Sequence, residues 1–116
     1  MNEKAVQDQI FEWLIYSGCL AIRINSGATS QKATETTARR FIRFATWQAI
    51  GYLKRAAGVS DILACVDGRF VAIECKAPGK LDNLSDHQRD FLAAVTIAGG
   101  LVIVADSLEI VMEALE

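Results

Sequence analysis

The dipeptide Asp67-Gly68 constrains this chain more than any other feature. It stands between two apolar, branched runs, Asp61–Val66 and Arg69–Ala77. Asp-Gly tolerates the left-handed backbone that a two-residue hairpin turn demands, so the runs are expected to pair as antiparallel strands. Such a turn also sets the register, because Val66 faces Arg69 and every step outward adds one pair. Asp61 then lies opposite Glu74, and Lys76 shares the face of Glu74 because strand side chains alternate. Like charges directly opposed on a sheet destabilise it, and unpaired carboxylates at the end of an apolar hairpin are costly. Such a pair is kept where something cationic sits between its members. Hard divalent cations such as magnesium take oxygen ligands, often one or two carboxylates with waters and a phosphate. Lys76 beside the pair would orient a water, help its deprotonation, or neutralise charge growing on a phosphate. The alternative is a partly buried ion network in which Lys76 simply pairs with both acids.

The rest of the chain supplies the frame. Val6, Ile10, Trp13 and Leu14 recur at helical spacing over residues 3–17, and Gly18 is placed to end that helix. Cys19–Ile24 reads as a short strand. Residues 26–38 hold Ser26, Thr29, Ser30, Thr34, Thr36 and Thr37 with only alanines as apolar members, a loop composition. Phe41–Thr46 alternates as a strand does, and Trp47–Ala57 reads as loop or short helix. Ser85 is the expected N-cap of a helix running to about Ala98, closed by Gly99-Gly100. Leu101–Ala105 is an apolar strand, and Ser107 opens a final helix. The order α-β-β-β-β-α-β-α predicts an α/β fold, one domain over residues 1–116 whose sheet carries helices on both faces. The runs Ile62–Val66 and Leu101–Ala105 suit central strands.

Composition narrows the class. The chain has 116 residues, 52% of them hydrophobic, and a single proline, which fits a packed core. No apolar run approaches the roughly 18 residues of a membrane span, and Met1-Asn2-Glu3-Lys4 does not begin a secretory signal. An intracellular domain is expected. Three cysteines without C-x-x-C spacing and one histidine exclude a structural zinc site. Cys19, Cys65 and Cys75 read as reduced core residues. The net charge of −2 conceals an asymmetry. Arg23 to Arg55 holds seven basic residues against one acid, net +6, and the remainder holds five against thirteen, net −8. A basic segment on an acidic body is either a footprint for a polyanion or a solvated surface.

Gly58-Val59-Ser60-Asp61 followed by Asp67-Gly68-Arg69-Phe70-Val71-Ala72-Ile73-Glu74-Cys75-Lys76 resembles the PD-(D/E)XK nuclease superfamily, and more narrowly the VRR-NUC family. The resemblance continues through Pro78–Leu81, Ser85–Phe91 and Ala98–Gly100, and more loosely through Glu3–Leu14, Arg23–Gly27 and Ile42–Phe44. It implies a restriction-endonuclease-like mixed β-sheet flanked by helices. It also implies a divalent metal, Mg2+ or Mn2+, held by Asp61, Glu74 and the backbone carbonyl of Cys75, with Lys76 as the catalytic lysine. Gln88 matches a glutamine near the site, although Ser85-x-x-Gln88 is equally a capping box. Glu3 matches an acid that reaches the metal through water, or else complements the helix dipole. Arg23, Asn25, Ser26 and Arg43 match positions that touch phosphate. His87 is expected to be solvated.

Trp47–Ala57 departs from the family pattern. Trp47 and Tyr52 there are core, dimer-contact or base-stacking residues. Small stand-alone members resemble homodimeric enzymes cutting four-way (Holliday) DNA junctions, since two equivalent metal sites suit two equivalent strands. The resemblance thus implies a structure-selective endonuclease acting on branched DNA in the cytoplasm of a bacterial or phage-infected cell. The alternatives are a flap, nicking or general nuclease on the same fold, or a catalytically silent nucleic-acid-binding module.

Overall fold

The computed structural model describes residues 1–24, 46–55 and 57–116. The strand expected at Phe41–Thr46 and the loop expected over 26–38 lie outside these, apart from Thr46. Helix α1 spans Glu3–Tyr16. The Asn2 side chain accepts from the N–H of Ala5 at 2.8 Å and so satisfies one of the free amides of the first turn. Val6, Ile10 and Leu14, spaced four apart, are fully buried. Burial of each aliphatic side chain contributes roughly 1.5–3 kcal/mol. The helix stops at Gly18, whose φ of +87° allows Cys19 N–H to reach back to Leu14 O.

Four strands form the main sheet: β1 (Leu20–Arg23), β4 (Ile62–Val66), β5 (Arg69–Cys75) and β6 (Leu101–Ala105), in the order β1-β4-β5-β6. The first three pair antiparallel, and β6 joins β5 in parallel. Asp67 and Gly68 have φ of +52° and +80°, the two-residue turn expected of them, and Val66 pairs with Arg69 and Ile62 with Ile73. Helix α2 (Asp86–Ile97) connects β5 to β6, and α3 (Leu108–Ala114) follows β6. Ser107 stands at the N-cap of α3 without a side-chain hydrogen bond. This is an α/β, restriction-endonuclease-like architecture, with a mixed sheet between helices.

The period of two along each strand divides the core. Ile62, Ala64, Val71, Ile73, Cys75, Ile103 and Ala105 pack with Val6, Ile10, Leu14 and Val111, under α1 and α3. On the opposite face Ala72 packs with Val59 and with Phe91, Leu92 and Val95 of α2. Glu74 follows Ala72 on that second face, where the first turn of α2 begins. The strand pattern thus delivers the acid to the start of α2.

Three expectations need correction. Trp47–Ala57 contains a hairpin, β2 (Trp47–Ala49) and β3 (Tyr52–Arg55), turning at Ile50-Gly51 with Gly51 at φ +93°. Trp47 packs edge-on to Phe91 at 5.3 Å and lies 5.4 Å from Tyr52, and its Nε1–H donates to Ala57 O at 2.9 Å. That is the core alternative for Trp47. Leu101–Ala105 is an edge strand among the described residues, not a central one. Its apolar composition reflects helices on both faces, and strand neighbours play no part in it. Cys65 is exposed, unlike the buried Cys75. It lies with Leu20, Ile22 and Phe70 on an apolar shelf that no described residue covers.

Candidate active site

Asp61 sits one residue before β4. Its carbonyl accepts from Ile24 N–H at 2.8 Å, extending the β1–β4 ladder. Its Oδ2 accepts from the backbone N–H of Cys75 at 2.8 Å. The carboxylate thereby takes the place of a strand neighbour and is locked across from Glu74. Close approach on the other side requires Gly58, which has φ +87° and whose Cβ, if present, would stand 2.1 Å from the carbonyl oxygen of His87. The Gly58–Asp61 segment is pressed against the first turn of α2 in this way.

Glu74 is only 2% exposed and Lys76 6%. Glu74 Oε2 accepts from Gln88 Nε2–H at 2.9 Å and lies 3.8 Å from Lys76 Nζ. Lys76 Nζ donates to Gln88 Oε1 at 3.2 Å. Glu74 Oε1 is buried and receives no donor among the described residues, while the Glu74 and Asp61 carboxyls lie within hydrogen-bond reach of each other. Desolvation first, and then the negative charge of Asp61, push the Glu74 carboxyl up to about 9. Asp61 is raised as well, by burial first, against the lowering effect of its bond to Cys75 N–H. Among the described residues two acids thus face one buried ammonium, and one carboxylate oxygen has no donor. Buried charge is tolerated when paired and hydrogen-bonded, and this site is short of positive charge.

A divalent cation fits this deficit. The donors are hard oxygens, and the Glu74 carboxyl, near that of Asp61, keeps Oε1 without a donor among the described residues. Among the described residues no group of three or more His, Cys, Asp or Glu stands at ligand spacing. Side-chain ligation here would rest on two carboxylates, a number that magnesium accepts with water and substrate oxygens completing its shell. The Cys75 thiol is no ligand. It is buried on the opposite face with α1, and burial raises its pKa further.

The other sequence-predicted residues divide. Gln88 satisfies both of its readings at once, because its Oε1 also accepts from Ser85 N–H at 2.9 Å while Ser85 Oγ accepts from Gln88 N–H at 3.1 Å. Glu3 is the exposed first residue of α1, near enough for its charge to raise both Asp61 and Glu74. It lines a cleft of about 620 Å³ with Ala77, Gly79, Lys80, Asp82 and Asn83. Arg23 is turned to α1, where it donates to Gln7 Oε1 at 3.0 Å and to Asp8 Oδ1 at 2.7 Å, with Phe11 under its guanidinium. Asn25, Ser26 and Arg43 lie outside the described residues. His87 is exposed. Sequence reasoning missed Asp106, whose Oδ2 accepts from Gly79 N–H at 2.8 Å and pins the loop after β5 to the end of β6. An acid just after an apolar strand is its only sequence signal.

A mixed sheet that carries two opposed carboxylates and a lysine two residues beyond the second is the arrangement that the sequence resemblance led one to expect of a nuclease. The VRR-NUC domain model matches residues 1–109, and the chain belongs to that nuclease family. No curated protein and no solved structure matches the chain. No helix among the described residues is long and apolar enough to cross a membrane.

Proposed function

We propose that this chain is a divalent-metal-dependent endodeoxyribonuclease, selective for branched DNA and most specifically a homodimeric resolvase of four-way junctions. The observation that carries the metal reading is the buried carboxyl of Glu74, paired across the sheet with Asp61, whose Oε1 has no donor among the described residues and whose one described cation is Lys76. Asp61, Glu74 and the carbonyl of Cys75 would hold Mg2+ or Mn2+. The cation supplies Lewis-acid polarisation of the phosphodiester and makes water a stronger nucleophile at neutral pH.

The protein's own groups do the rest. The N–H of Cys75 fixes Asp61, and Gln88 fixes both Glu74 and the ammonium of Lys76. That ammonium lies where negative charge grows as water adds to phosphorus and a phosphodiester P–O bond breaks, and a fixed cation there lowers the barrier. Glu3 stands at the mouth of the site and would act through water. The basic stretch around Arg23, Asn25, Ser26 and Arg43 supplies phosphate contacts that are independent of sequence. The dimer reading draws on the exposed shelf of Leu20, Ile22 and Phe70, apolar surface of the kind that a second copy buries.

The test is cleavage of a labelled four-way junction beside a flap and a linear duplex, with magnesium, with manganese and with chelator, for wild type and Asp61→Ala. Metal-dependent cutting of the junction alone, abolished by Asp61→Ala, is expected. Equal cutting of all three substrates overturns the resolvase and keeps the nuclease. Tight junction binding without cutting in either metal overturns both in favour of a binding module.

A further inference from the structure

The amide of Gln88 is held on three sides, and the arrangement admits only one orientation. Its oxygen is approached by two donors, the backbone N–H of Ser85 at 2.9 Å and the ammonium of Lys76 at 3.2 Å. Its nitrogen faces an acceptor, Glu74 Oε2, at 2.9 Å. Turned over, the NH2 would meet two donors, the backbone N–H and the ammonium, so both of those contacts would become repulsive. Lys76 alone does not secure this choice, because its side chain is long and its ammonium rotates. The N–H of Ser85 belongs to the backbone of the α2 cap, where φ is −76° and Oγ accepts from Gln88 N–H, so it cannot turn aside.

We infer that Ser85, which touches no reacting group, is a positioning residue. Its backbone N–H orients the Gln88 amide so that Glu74 spends Oε2 on Gln88 and Lys76 and keeps Oε1 clear of both. The capping box at the start of α2 is therefore part of the site as well as a helix stop signal. A capping box ordinarily closes on itself. Here the same glutamine oxygen also accepts from a buried lysine of the neighbouring strand. The helix terminus and the acid–lysine pair thus form one hydrogen-bonded unit. The inference rests on the site proposed above for its functional consequence, and its geometric core does not depend on cleavage.

The experiment separates the two. Ser85→Pro removes both the orienting N–H and the capping hydroxyl at a φ that proline accepts, and Ser85→Thr retains both. In metal-free protein, exchange of the Gln88 side-chain amide protons with water is measured by NMR, followed by Mn2+ affinity. Ser85→Pro is expected to speed Gln88 amide exchange at least tenfold and to weaken Mn2+ binding several-fold. Ser85→Thr should restore both to near wild-type values. Gln88→Met provides the reverse reading should Ser85→Pro fail to fold. Loss of the acceptor should speed exchange of the Ser85 backbone N–H at least tenfold. Unchanged Gln88 exchange in folded Ser85→Pro, or unchanged Ser85 exchange in Gln88→Met, overturns the inference. Neither result depends on nuclease activity, and failure of wild type to cut DNA would overturn the proposed function alone.

Discussion

Replacing Glu74 with glutamine should abolish the pH dependence that this residue imposes on metal-free protein. The Glu74 carboxyl is pushed up to about 9 in the fold, from an ordinary 4.5, by burial and by Asp61. Between those values the native state holds a proton that the unfolded chain has released. Stability from this group is therefore complete below about pH 4.5 and is lost as pH rises towards 9. The limiting slope for one proton is about 1.4 kcal/mol per pH unit. The ammonium of Lys76 favours the charged form, and the coupled Asp61 shares the proton, so roughly half to all of that limit is expected. From pH 6 to pH 8 wild type should lose about 1.4–2.7 kcal/mol relative to Glu74→Gln, which has no proton to release. Urea unfolding of both proteins with chelator present, at several pH values in that range, gives the difference directly. Saturating divalent metal should flatten the wild-type curve, because a cation replaces the proton. Parallel curves for the two proteins, or wild type gaining on the variant as pH rises, would refute the electrostatic account of the site.

Three further outcomes follow from single contacts. Gly58→Ala must place a methyl against the His87 carbonyl at a positive φ, and at least about 2 kcal/mol of stability should be lost in a denaturation curve. Lys76→Met should lower the single-turnover cleavage rate by about 10²–10³-fold, the scale of one lost charge-stabilising donor, while junction binding persists. Arg23→Ala should reduce the salt dependence of junction binding by about one phosphate contact. An unchanged slope would mean that Arg23 stays on Gln7 and Asp8 in the complex. The Arg23–Asp8 pair is exposed and adds little to stability, so the fold should survive the substitution.

The parts of the fold legible in sequence were those governed by local chemistry. Asp67-Gly68 admits one kind of turn, and from that turn the β4–β5 register and the opposition of Asp61 and Glu74 follow. The position of Lys76 beside Glu74 follows from strand alternation alone. Gln88 was legible only as a choice between cap and site, because one amide serves both, its oxygen shared by Ser85 N–H and Lys76, and sequence cannot show that. The β2–β3 hairpin was missed because its strands are three and four residues long and Ile50-Gly51 is a weak turn signal. The edge position of β6 was missed because apolar composition records covered faces and carries no count of strand neighbours. Arg23 was read from charge and resemblance, whereas its partners Gln7 and Asp8 lie on α1, 16 and 15 residues away in sequence. Partners at that separation become visible only when the helix is packed beside the strand.

The central claim is that Asp61 and Glu74 together hold one divalent cation. Titration of metal-free protein with Mn2+, followed by loss of the free-ion EPR signal, tests it without substrate. Wild type should take up one ion, Asp61→Asn and Glu74→Gln should each weaken that uptake at least tenfold, and Lys76→Met should retain it. Equal uptake by all four proteins, or none by folded wild type, would contradict the account.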